Sequence, residues 1–147
     1  MRVYRVENEH GSGPYWGGIG LHEDLNIYLR NEIHDFKRHP GPQPLKDRID
    51  NDKSVPLRLR SEWRYSDYNP FYYGFISPQQ LKRWFHLPVR IRLDYEGGFM
   101  VKVYEVPDQY VYHNKHQAMF LRRKAKLGYD LPLARFHTRL KTIVDSL

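Results

Sequence analysis

The chain of 147 residues has no cysteine, which excludes disulfides and thiolate metal sites and fits a cytoplasmic setting. It also lacks any apolar run approaching the roughly 18 residues that cross a bilayer. Its first residues, Met1 to Val6, have no secretory apolar region, so neither a membrane nor export is expected. HExxH, GxSxG and Walker sequences are missing, as are helix-turn-helix, zinc-finger and RNP signatures. There is no internal repeat and no low-complexity tract. Acidic residues are in deficit, 17 against 24 Lys and Arg. Aromatics are not: 12 Tyr, 7 Phe and 3 Trp predict one globular domain over 1–147 with an aromatic-rich core.

The positive charge is localised. Between Lys115 and Lys141 stand eight Lys or Arg and one acid, Asp130, which accounts for the whole net charge of +7. The residues that would meet a partner or nucleic acid are Arg122, Arg123, Lys124, Lys126, Arg135 and Arg139. Such a patch suits nucleic acid, an anionic cofactor or an acidic protein, and it equally suits a solvated helix face. Lys and Arg neutralise phosphate without regard to sequence, and exposed Tyr or Trp can stack on unpaired bases.

The best-specified stretch is 71–85. Phe71 to Phe75 reads as an aromatic strand, Ser77 as an N-cap and Pro78 as the first helical residue. Gln80 completes a capping box, Ile76 and Leu81 stand at staple positions, and Leu81, Trp84 and Phe85 form a buried helix face. Upstream, 2–6 alternates as a strand, and Arg5 on it points either into a cleft or to solvent. Gly11 to Gly18 is a flexible loop in which Tyr15 and Trp16 can stack on a ligand, although an ordinary turn explains it as well. Residues 22–38 have the period of a helix, which the prolines from Pro40 onward stop. Residues 39–70 read as a long Pro-rich loop, either a binding loop or an insertion, with a short strand within 57–65.

After the junction, 89–95 alternates as the first strand of a hairpin completed by 99–106. A helical turn entered at Pro88 and closed by Gly97 is the alternative, since Val89/Leu93 and Ile91/Tyr95 also fall four apart. Edge strands are expected at 110–112 and 117–121, and a closing helix over 132–146 with Leu133 and Phe136 on its apolar face. His113 and His116 lack a third ligand, and Asp47, Asp50 and Asp52 miss the calcium-loop spacing, so no metal site is assigned. The fold class is α+β, a twisted, mostly antiparallel sheet with two to three packed helices.

Several short motifs carry a resemblance. Tyr4-Arg5, Gly13-Pro14-Tyr15, His39-Pro40 with Pro42, Gly74 to Phe85, Val101 to Val106 and Gln117 to Phe120 together resemble a family of small uncharacterised proteins common in bacteriophages and prophages. That resemblance covers most of 1–121 and implies a host-cell cytoplasmic location. More distantly, the layout is similar to ADP-ribosyltransferases. That fold holds NAD with an Arg or His on its first strand, a Ser or Tyr on its second and a Glu opening a later strand. The matching positions are Arg5, Ser77 and Gln117, with Tyr15 and Trp16 beside the cofactor. Gln117 is a neutral amide where the fold has a carboxylate, so it cannot supply the negative charge that steadies an oxocarbenium-like transition state. Two expectations follow. One is a phage-type accessory protein without a cofactor that binds a host or phage protein, or nucleic acid, through its basic C-terminal region. The other is an ADP-ribosyltransferase-like enzyme or NAD-binding relative.

Overall fold

The computed structural model describes residues 1–11, 13, 14, 28, 56, 59 and 71–137. Among them, six strands and two α-helices confirm the α+β class. The strands are β1 (Arg2–Glu7), β2 (Phe71–Gly74), β3 (Met100–Glu105), β4 (Val111–His113), β5 (Ala118–Leu121) and β6 (Lys126–Pro132). The helices are α1 (Pro78–Trp84) and α2 (Leu87–Tyr95). Two antiparallel sheets run in the orders β1-β3-β6 and β2-β5-β4.

Among the described residues, a single bridge joins the sheets. Tyr4 and Phe75 exchange backbone hydrogen bonds of 2.7 and 2.8 Å. The residue before that bridge has to be glycine: a Cβ on Gly74 would lie 2.6 Å from the Tyr4 carbonyl oxygen and 2.9 Å from Val3 Cγ1. Side chains of β1 alternate, and its two faces serve two cores. Val3 joins Phe71, Tyr104, Phe120 and Leu121, whereas Val6 joins Phe75, Leu81, Trp84, Val101 and Phe136. The fully buried Leu59 belongs to the first core.

The 71–85 junction forms as its sequence dictates, with two differences. Ser77 Oγ accepts from the Gln80 N–H at 3.1 Å, and Pro78 opens the helix. Gln80 Oε1, however, accepts from the N–H of Ile76 rather than from that of Ser77. The staple pair also divides, Ile76 packing on the first core and Leu81 lying in the second.

The hairpin expected from 89–95 is replaced by its alternative, helix α2. The reason lies in what is buried. Val89 and Leu93, four apart, enter the core, and Arg90 between them is also buried. Arg90 Nη1 donates to the carbonyls of Lys82 at 3.1 Å and Phe85 at 2.7 Å, so it closes the end of α1. A strand would send Arg90 to the opposite face from Val89. Burial lowers the pKa of this guanidinium. β3 pairs instead with β1 on one side and β6 on the other.

Strand β6 was not expected, and the start of the expected closing helix over 132–146 is a 3-10 turn, its residues 138–146 lying outside the described residues. Pro132 ends the strand, and Leu133–Phe136 is a 3-10 turn that still buries Leu133 and Phe136. The register of β6 against β3 slips at one point. Val103 pairs with Tyr129 and Tyr104 with Leu127, leaving Gly128 as the extra residue of a β-bulge. A Cβ there would stand 3.2 Å from the Val103 carbonyl oxygen. Of the other expectations, Tyr28 is helical as 22–38 predicts, while Leu59 is helical where a short strand was expected. The rest of 22–38 and of 39–70 lies outside the described residues.

Candidate functional site

Alternation along β1 puts Arg5 and Glu7 on the same face as Val3. Both charged residues are buried, at 8% and 4% exposure, so each must be paired. Arg5 Nε donates to Glu7 Oε2 at 2.9 Å, and Arg5 Nη1 donates to the Tyr73 carbonyl at 2.8 Å. The Tyr104 hydroxyl donates to the other carboxylate oxygen of Glu7 at 2.7 Å. The guanidinium carbon of Arg5 stands 4.3 Å from the Tyr72 ring centroid. Gly13, also buried, lies against the same guanidinium, since a Cβ on it would come within 3.3 Å of Arg5 Nη2. Next to Arg5 in the sheet register come Lys102 and Asp130, which form an ion pair at 3.0 Å.

The electrostatics of this cluster hold its protons in place. Burial, and then the hydrogen bond to Glu7, push the Tyr104 hydroxyl well above its ordinary pKa. Tyr104 therefore remains a neutral donor, and Glu7 shares one carboxylate between a cation and a phenol. Arg5 ties β1 to β2 through Tyr73 and to the loop at Gly13. Its hydrogen bonds make it a positioning residue of the fold.

The two other residues matched to the transferase layout have local partners as well. Ser77 caps α1. Gln117 precedes β5, where its N–H donates to Asn114 Oδ1 at 2.9 Å and its carbonyl accepts from the Asn114 N–H at 3.0 Å. Gln80 Nε2 donates to the Asn114 carbonyl at 2.9 Å and so fastens α1 to this turn. Tyr4 bridges Phe75 while Gly74 pairs with Ala118, so Arg5 shares a row with Gly74 and Ala118. Gln117 falls in the next row, whose side chains leave the sheet on the opposite face. Ser77, two residues beyond Phe75, is the N-cap of α1. The register therefore divides Arg5 from Gln117. Tyr15 and Trp16 lie outside the described residues.

The basic region takes a definite shape. Arg122–Lys124 forms a 3-10 turn between β5 and β6. Arg122 is half-buried, its guanidinium 4.8 Å from the Tyr104 ring centroid and 5.6 Å from that of Tyr72. Lys124 Nζ stands 5.4 Å from the Tyr110 ring centroid. Arg123, Lys124 and Lys126 are exposed around this turn, and Arg135 is exposed in the last 3-10 turn. Arg139 lies outside the described residues. Lys126 is opposite Glu105, which is in turn opposite Arg2.

Residues 1–134 match the protein family described as Bacteriophage T4 Y00F protein. The chain belongs to that family. Its strands β1 to β6, the Arg5–Glu7–Tyr104 cluster and the basic turn all fall inside the matched residues. A relative from Enterobacteria phage T4, described as an uncharacterized 19.7 kDa protein in the motB-dexA intergenic region, is 26% identical over an alignment of 160 residues. That alignment covers 86% of this chain and 96% of the relative. No solved structure matches. The phage origin expected from the short motifs is thereby established for the family. Among the described residues, no helix is long and apolar enough to cross a membrane.

Three members of these clusters escaped sequence reasoning. Glu7 lies one residue past the expected strand, yet i, i+2 alternation from Arg5 already places it on the same face. Tyr104 is on the opposite face of β3 from Val101 and Val103, and the pairing of β3 with β1 makes that the face of Arg5 and Glu7. Tyr72 carries no signal beyond its strand propensity. Glu7 was within reach of the period-2 pattern; Tyr104 and Tyr72 needed the fold.

Proposed function

We propose that this phage-family protein is an accessory binding protein that engages an anionic macromolecule of the host or phage through the turn Arg122–Lys126. The observation that carries this reading is the form of the basic segment. Arg123, Lys124 and Lys126 are exposed within four positions, on a turn and the strand start that follows it, and the first residue of the turn, Arg122, stands against the Tyr72 and Tyr104 rings. Positive charge held on a stiff support keeps its geometry on binding and loses little entropy. A solvated face has no need of such an anchor. Binding is favoured over NAD-dependent transfer because Arg5, Ser77 and Gln117 all serve the fold, and the register divides Arg5 from Gln117.

The test is retention on immobilised heparin, a generic polyanion. The wild-type chain should be retained and elute at a well-defined salt concentration. The triple variant R123E/K124E/K126E should elute far earlier while melting at the same temperature. Equal elution of the two proteins overturns the proposal.

A further inference from the structure

The bulge at Gly128 does more than bend an edge strand. Lys126 pairs with Glu105, and Glu105 is on the same face of β3 as Val103. In an unbroken strand Tyr129, three residues after Lys126, would leave the sheet on the opposite face. The extra residue restores it to the face of Lys126, because Tyr129 pairs with Val103. Arg2 and Tyr4 of β1 are on that face too, opposite Glu105 and Val103. The contacts agree: the Arg2 guanidinium carbon is 6.0 Å from the Tyr129 ring centroid, and Arg2 Nε donates to Glu105 Oε1 at 3.2 Å.

The bulge brings Tyr129 to the face of the buried Val103, but on β6, an outer strand of its sheet, where the ring stays partly in solvent beside cations. Tyr129 is 43% exposed, one of five large apolar side chains exposed among the described residues. Its neighbours Arg2 and Lys126 are exposed, and Arg123 and Lys124 stand on the adjoining turn. Glu105 is the acid within this group, and it is paired with Arg2. The result is an exposed aromatic ring with cations beside it on the outer strand of a sheet.

We infer that this face, Tyr129 flanked by Arg2 and Lys126 beside the turn Arg122–Lys126, binds single-stranded nucleic acid, with an unpaired base stacked on Tyr129 and phosphates on the flanking cations. Charge complementarity calls for an anionic occupant. The exposed ring selects among anions, because an unpaired base offers a π-face, whereas a carboxylate-rich protein surface has nothing to stack. A duplex hides its base faces, so it can use the cations alone. The inference rests on the polyanion reading above and adds the class of partner.

The experiment is fluorescence anisotropy with a labelled 20-nucleotide oligo(dT), the matching oligo(U), and a duplex of equal length. The wild type should bind a single strand more tightly than the duplex, with affinity falling as salt rises. Tyr129→Ala should weaken single-strand binding on the order of tenfold, in line with the loss of one stacked base, and leave duplex binding unchanged. Tyr129→Phe keeps the ring and should bind as the wild type does. An unchanged melting temperature separates these effects from misfolding. Three results overturn the inference: no single-strand binding, equal affinity of wild type and Tyr129→Ala, or displacement by polyglutamate at lower concentration than by oligonucleotide. Heparin retention alongside any of these leaves the binding-protein reading standing, whereas loss of heparin dependence on Arg123, Lys124 and Lys126 removes that reading first.

Discussion

The hydroxyl of Tyr104 donates to the carboxylate of Glu7 at 2.7 Å, joining β3 to β1 across a separation of 97 positions in the chain. The carboxylate's other oxygen holds Arg5, so one buried acid connects a phenol and a guanidinium. Taking a carboxylate and a guanidinium out of water costs several kcal/mol for each ion, and only good geometry offsets it. The pair therefore acts mainly as a constraint on how β1 and β3 are set.

Removing one side of that pair should be expensive. Glu7→Ala leaves the Arg5 cation buried without its partner and should destabilise the protein by about 3–5 kcal/mol. Urea unfolding monitored by circular dichroism reads the loss. The double change Glu7→Leu with Arg5→Met removes both charges and should recover much of it, as replacing a buried ion pair by apolar residues often does.

Tyr104 gives the protein a weakness to alkali. Its pKa is raised by burial and by the hydrogen bond to Glu7, above the unfolded value of about 10. The fold holds the neutral phenol, so this stabilisation is complete below about pH 10. It is lost as pH rises from there toward the raised folded value. The melting temperature of the wild type should fall over that range more steeply than that of Tyr104→Phe. At neutral pH the same variant should lose about 1.5–3 kcal/mol, the worth of a hydrogen bond to a charged group. Equal slopes above pH 10 would refute the assignment.

The two glycines beside Arg5 and Tyr4 should differ in their tolerance of a methyl group. Gly74→Ala drives a Cβ to 2.6 Å from the backbone oxygen of Tyr4, at the joint between the sheets. Backbone there cannot yield cheaply, and a loss of at least about 2 kcal/mol is expected. Gly13→Ala, among the described residues, meets the tip of the Arg5 side chain at 3.3 Å, so it should cost less than about 1 kcal/mol. Thermal melts of the two single variants compare them directly.

Arg90 should matter through the carbonyls it serves. Arg90→Ala empties a buried site and releases the carbonyls of Lys82 and Phe85 at the end of α1. A loss of about 2–4 kcal/mol follows from cavity and hydrogen-bond terms together. Amide hydrogen exchange should show α1 opening before β3 in this variant.

Much of this architecture can be read from the residues. Alternation marks β1 and β3, the Tyr110–Tyr112 and Gln117–Leu121 segments yield β4 and β5, and Ser77-Pro78 fixes the start of α1. Helix α2 is ambiguous because Val89 to Tyr95 satisfies both periods. What decides it is the burial of Arg90, and that depends on carbonyls belonging to another helix. Strand β6 is hidden for the opposite reason. Leu127, Tyr129 and Leu131 alternate, but the basic composition around them suggests a tail, and the bulge at Gly128 moves Leu127 away from the face of the other two. Of the residues singled out for chemistry, Arg5 stands in a charged cluster; alternation along β1 already puts Glu7 beside it, whereas Tyr104 emerges only once β1 meets β3. The basic turn was plain from charge alone, whereas the role of Arg2 and Tyr129 beside it depends on sheet register.

The pairing of β1 with β3 also sets a timetable. Glu7 faces Met100 and Arg2 faces Glu105, so β1, once it leaves the ribosome, has to wait for nearly a hundred further residues before its partner exists. At about 5–20 residues per second that delay is roughly 5–20 s. Contacts this distant in sequence also make the final closure slow relative to helix formation. Through the interval Val3 and Val6 have no β3 to cover them, and Arg2, Arg5 and Glu7 are the charges that discourage this nascent edge from pairing with other chains.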